Sequence, residues 1–199
     1  MDILRVSLCR LLFPRRMAGS LALSVLAALL FVCAASGQSE QPSEYDVKAA
    51  FLFNFTKFVE WPESSFDDSH SPIVLGIIGD DPFGDSLPRM IAGQQVQGRS
   101  IVIRKERLGD DLRRCHILFV SASERQHRAQ ILASIEPSSV LTVSDIDGFA
   151  EAGGVIEFVT EENRVRFVVN LEAATESKLR MSAKLLALAR IIGNGHAAR

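Results

Sequence analysis

Three short, unbroken apolar runs constrain this chain most: IVLGIIG (73–79), HILFV (116–120) and VLTV (140–143). Each is rich in β-branched residues, too short for a core helix, and without the alternation of a strand that has one wet face. They read as strands buried on both faces. A sheet of that kind needs helices on both sides, and the intervening segments supply them. A short helix is expected around 85–91, before a strand at 100–104. A longer one is expected from Ser121 to Ile135, where Ser121 and Glu124 stand in capping-box spacing and Pro137 closes the segment. Segments 155–160 and 164–170 read as an antiparallel hairpin turning at 161–163, with Val165, Phe167 and Val169 alternating inward. An apolar stripe at Leu179, Met181, Leu185, Leu188 and Ile192 predicts a closing helix over 178–192, lying beside the first helix. The fold class is therefore α/β: a three-layer α/β/α sandwich whose mostly parallel sheet ends in a C-terminal antiparallel hairpin.

The first helix of this sandwich is EYDVKAAFLFNFTKFVEW (44–61), closed by Pro62, and it holds the chain's only tyrosine and only tryptophan. At 100° per residue, Val47, Phe51, Leu52, Asn54, Phe55, Phe58 and Val59 share one broad arc, with Asp46, Thr56, Lys57 and Glu60 opposite. Phe53 falls on the polar side and Asn54 inside the apolar arc. Phe53 is either covered by the last helix or offered to a partner. Trp61 either plugs the end of the core or presents a binding anchor, a role in which tryptophan is enriched. Asn54, if buried, needs a backbone to hydrogen-bond.

The N-terminus has a different character. Arg5, Arg10, Arg15 and Arg16 precede an apolar run over 21–35, and Ala34, Ala35, Ser36 and Gly37 follow. That is the pattern of a secretory signal peptide over 1–37, cleaved near Gly37; a retained membrane anchor is the alternative. A flexible leader (38–43), a single α/β domain (44–193) and a tail (194–199) complete the expected organisation. Loss of four arginines and Asp2 makes the mature chain more acidic than the −2 of the whole, which argues against nucleic acid as a partner. Cys9 and Cys33 leave with the signal. Cys115 then stands alone in an oxidising compartment, with no internal disulfide open to it, and reads as a buried thiol at a strand start.

Parallel sheets bind ligands beyond the carboxyl ends of their strands. Here those ends carry Asp80 and Asp81, Ser121, then Ser144 and Asp145, a crevice of carboxylates and hydroxyls. Catalysis finds little support there. His70, His116, His127 and His196 are scattered among unrelated segments, and none stands as a base beside a serine, so Ser121 and Ser144 read as helix caps. The glycines at 79 and 84 have the spacing of a phosphate loop, but in the Asp85-Ser86 pair that follows an aspartate stands where the lysine belongs. No dinucleotide fingerprint or zinc spacing occurs, and no cofactor is expected. The residues support two functions: recognition of a protein partner through Phe53 and Trp61, or periplasmic binding of a small ligand in the crevice of Asp80, Asp81, Ser121, Ser144 and Asp145.

Several longer segments together resemble one family. VKAAFLFNFTKFVEWP (47–62), LGIIGDDPFG (75–84), CHILFVSASE (115–124), VLTVSDIDGFAEAGGVIEFV (140–159) and KLLALAR (184–190) are similar, in the same order, to YfiR-like proteins. The resemblance implies an exported, non-enzymatic α/β domain in the periplasm. It further implies a repressor that binds an inner-membrane diguanylate cyclase through its periplasmic segment, restraining cyclic-di-GMP synthesis and biofilm formation. A homodimer is left open.

Overall fold

The computed structural model describes residues 42–193. The expected signal peptide and tail, and all but the end of the expected leader, lie outside the described residues.

Ser43 opens the first helix, α1 (Glu44–Phe58), with a capping box. Its hydroxyl accepts the Asp46 amide at 3.1 Å while the Asp46 carboxylate accepts the Ser43 amide at 2.8 Å. Two of the amides left over at the helix start are thereby satisfied. The chain continues through β1 (Val59–Glu60), β2 (Ile73–Ile78), α2 (Ser86–Ile91), β3 (Gln95–Val96), β4 (Arg99–Glu106) and β5 (Ile117–Val120). It then forms α3 (Arg128–Ile135), β6 (Leu141–Ser144), β7 (Ile156–Glu161), β8 (Arg164–Asn170), α4 (Leu171–Glu176), β9 (Arg180–Met181), α5 (Ala183–Leu186) and β10 (Arg190–Ile192).

One sheet, in the order β10-β8-β7-β6-β5-β2-β4-β3, forms the middle layer. Every pair from β4 to β7 is parallel, and β7 and β8 form the antiparallel hairpin. That hairpin turns through Glu162 and Asn163, both at positive φ (49° and 60°), a geometry that matches the twist of the strands. The three apolar runs are β2, β5 and β6, buried at every position.

Alternation along these strands divides the core in two. Leu75, Ile77, Ile117, Phe119, Leu141 and Val143 face α1, packing with Ala49, Leu52, Phe55 and Val59. Val74, Ile78, Leu118 and Val120 face α3, packing with Ile131, Leu132, Ile135 and Phe149. On this second face Gly76 leaves room for the sulfur of Cys115, since a Cβ there would stand 2.5 Å from Sγ. The thiol is buried, as its strand-start position suggested.

Three sequence expectations need correction. The closing stripe does not form a helix: residues 178–192 break into β9, the single turn α5, and β10 at the sheet edge. Backbone pairing overrides the periodicity, because Met181 pairs with Val59 and β10 adds to β8 in parallel, leaving Leu188 65% exposed. The main helical neighbour of α1 is α2, joined to it by a Ser86 hydroxyl donating to the Asp46 carboxylate, while α5 also touches α1.

The second correction concerns the serines read as caps. Ser121 precedes a 3-10 segment, Ala122–His127, but its side chain makes no capping bond. Ser144 closes a turn, its hydroxyl donating to the Val120 carbonyl at 2.6 Å and accepting the Ile146 amide at 3.0 Å. Third, the buried stripe of α1 runs through Lys48, Ala49, Leu52, Phe55 and Thr56, rotated by roughly a quarter turn from the expected arc. The helix is apolar on most sides, so periodicity alone defines its inner face poorly.

Candidate functional site

α1 runs antiparallel to the parallel strands, so its two ends meet opposite edges of the sheet. Its first turn reaches the carboxyl end of β6, and the residues just past its last turn reach the amino end of β5.

At the carboxyl edge, Asp145 follows β6 directly. Its Oδ2 accepts hydrogen bonds from the Tyr45 hydroxyl and the Lys48 ammonium, both at 2.9 Å. The Lys48 side chain is only 4% exposed and also pairs with Glu44 at 2.7 Å. Burial by itself would lower the pKa of this lysine, but the hydrogen bonds from Glu44 and Asp145 outweigh it and hold the ammonium above its ordinary value. The Tyr45 hydroxyl is pushed up, first by burial and then by its bond to Asp145. Asp145 Oδ1 is buried without a partner among the described residues. This is a charged latch that fixes the start of α1 to the sheet.

The other residues of the expected crevice lie at the same carboxyl ends, after the adjacent strands β2, β5 and β6, and most make contacts of their own. The Asp80 amide donates to Ser123 Oγ at 2.9 Å. Asp81 accepts the Phe83 amide at 3.0 Å and lies 3.6 Å from the exposed Lys105 ammonium. Ser121, buried, donates its amide to the Ile78 carbonyl at 3.0 Å. Ser121 and Ser144 thus end adjacent strands, and Asp145 is turned toward α1 by Lys48. Among the described residues no group of three His, Cys, Asp or Glu side chains has the arrangement of a metal site.

At the amino edge, Trp61 is half-buried, and its indole N–H donates to the His116 carbonyl at 3.0 Å. The His116 ring, itself buried, stacks on Phe66 at 4.4 Å, and the Arg99 guanidinium lies 3.8 Å from the centre of the Phe66 ring. His116 Nδ1 accepts the Val74 amide at 3.1 Å, so the proton resides on Nε2, which faces the Ser65 carbonyl at 3.0 Å. Burial lowers the pKa of this imidazole and keeps it neutral. Phe53 lies half-buried on the flank of α1, with the Lys57 ammonium 3.9 Å from its ring centre. Asn54 is also half-buried, and its side chain has no hydrogen-bond partner among the described residues.

Sequence reasoning missed Lys48 and His116. Lys48 stands four residues after Glu44, the spacing of an ordinary exposed helix pair. Nothing local points to Asp145, 97 positions away. His116 opens a strand and carries no motif.

The geometry describes a three-layer α/β domain whose first helix is fastened at both ends and whose polar residues serve internal contacts. Residues 45–190 match the YfiR/HmsC-like family, and the chain belongs to it. Membership supports a periplasmic regulatory role exercised through protein contacts. Among solved structures, a conserved domain protein from Vibrio cholerae is similar at 10% identity, with a TM-score of 0.49, over 75% of this chain and 60% of that one. The chain therefore spans about 60% of the length of that protein. No helix among the described residues is long and apolar enough to cross a membrane.

Proposed function

We propose that this protein is a periplasmic, non-enzymatic repressor that binds the periplasmic segment of an inner-membrane diguanylate cyclase and holds it inactive, lowering cyclic-di-GMP output. The observation that carries this reading is family membership over residues 45–190. The signal-peptide pattern of residues 1–37 supports export. Repression by binding requires that the protein contact the inactive conformation of the cyclase more favourably than the active one.

The contact surface in this proposal includes Phe53 and Trp61, half-buried aromatic residues at the flank and end of α1. The sheet edge adds apolar area: Leu188 and Ile191 around β10 are 65% and 46% exposed. An edge strand with exposed apolar residues is a ready surface for a partner. The test is affinity purification of the tagged, exported protein from membranes. Recovery of a cyclase with a periplasmic segment, reduced in Phe53→Ala and Trp61→Ala variants, is the expected result. Failure to recover any membrane signalling protein contradicts the proposal.

A further inference from the structure

A cavity lies at the amino ends of β2, β5 and β6, opposite the edge where parallel sheets ordinarily bind ligands. Its volume is about 570 Å³, within the range of small-molecule sites. Three arginines line it: Arg104 from β4, and Arg113 and Arg114 from the 3-10 turn before β5. Only one carboxylate, Asp67, shares the lining. Asp111 lies behind Arg113 and Arg114 and engages each through Nε, at 3.0 and 3.5 Å. Both contacts are made through Nε, so each guanidinium keeps terminal N–H groups with which to bind a second anion. Arg104 forms no ion pair with any described residue.

A second feature of the lining is independent of charge. Ser138 Oγ is buried and has no hydrogen-bond partner among the described residues, an unusual cost for a hydroxyl unless a ligand or water completes it. Ser64, Ser65 and Ser139 add further polar groups beside it. The lining is more polar than apolar, with Phe66, Pro72 and Val74 as its apolar members, which suits a hydroxylated solute better than an apolar one.

We infer that this cavity is a binding site for a small hydrophilic dianion, a solute bearing a phosphate or paired carboxylates, held by Arg104, Arg113 and Arg114 with Ser138 completing the contact. The site is separate from the partner surface proposed above, and it is connected to that surface through one contact. His116 lines the cavity, and its carbonyl accepts the indole N–H of Trp61. A ligand that shifts His116 therefore alters the environment of the only tryptophan in the chain.

That tryptophan also reports the test. The purified mature protein is titrated with inorganic phosphate, with a sugar phosphate and with succinate, each at ionic strength matched by sodium chloride, while Trp61 fluorescence and calorimetric heat are followed. Saturable one-to-one binding of at least one probe is expected. A Arg104→Gln/Arg113→Gln double variant should weaken it by about tenfold or more, and Ser138→Ala by less. Both arginines are exposed, so the unliganded unfolding midpoint of the double variant should stay near that of the parent. A phosphate-only or succinate-only response identifies the anion. No saturable binding of any probe, binding unchanged in the double variant, or a response reproduced by chloride alone would overturn the assignment. The titration contains no cyclase, so its outcome is separate from that of the repressor proposal.

Discussion

Lys48 and Asp145, 97 positions apart in the chain, meet at 2.9 Å with side chains only 4% and 8% exposed. The pair joins the first turn of α1 to the carboxyl end of β6, across the layer boundary that the rest of the fold bridges with apolar contacts. A buried ion pair of this kind contributes little over a well-packed apolar substitute, but removal of one partner strands the other charge. Lys48→Met should therefore destabilise the domain by about 3–5 kcal/mol, and Lys48→Met/Asp145→Leu by clearly less. Urea unfolding midpoints measure both. With Asp145→Leu alone as the fourth corner, a double-variant cost equal to the sum of the two single costs would show that the pair is not energetically coupled.

Protonation of His116 should weaken the domain below neutral pH. Folding holds its pKa below the ordinary value, so the unfolded chain binds a proton first as pH falls. The stability associated with the neutral ring is present above the unfolded pKa of about 6.5 and is lost as pH falls through the folded value. The structural cause is direct: a proton on Nδ1 would confront the Val74 amide. Thermal unfolding across that window should show a fall in Tm that His116→Gln largely removes. An identical pH profile in the variant would contradict this role.

Cys115 should be inert in the folded protein. Burial, followed by the nearby Glu106 carboxylate, pushes its thiol pKa up to about 12, and only the thiolate reacts readily. Alkylation by iodoacetamide should follow global unfolding. Rapid labelling under native conditions would show an accessible sulfur.

Gly76→Ala should cost roughly 1–3 kcal/mol by overpacking the same sulfur. Cys115→Ala should recover part of that loss, although Glu106 and Leu118 also approach the position within 3.2 Å. Chemical denaturation of the two single variants and the double variant measures the coupling, and strict additivity would contradict the close approach.

The parts of the fold legible beforehand were those specified locally. β2, β5 and β6 are runs that only a doubly covered sheet accommodates, and the hairpin of β7 and β8 carries both alternation and a turn. Residues 178–192 were misread because their apolar spacing suits a helix while their backbone is captured by Val59 on one side and β8 on the other. Pairing with Val59 or with β8 is set by the tertiary fold and leaves no mark in a periodicity. The same holds for the polar contacts. Lys48 resembles a solvated helix lysine until Asp145 is placed above it, and Arg104 and Arg113 come from different elements that only the sheet brings together. Phe53 and Trp61 stood out through their irregular positions, a signal that marks surface aromatics without specifying a partner.

The central claim is repression of a diguanylate cyclase, and the cellular concentration of cyclic-di-GMP tests it most directly. Deletion of the gene should raise that concentration, and expression of the exported protein in trans should restore it. An unchanged concentration in the deletion strain would contradict the account.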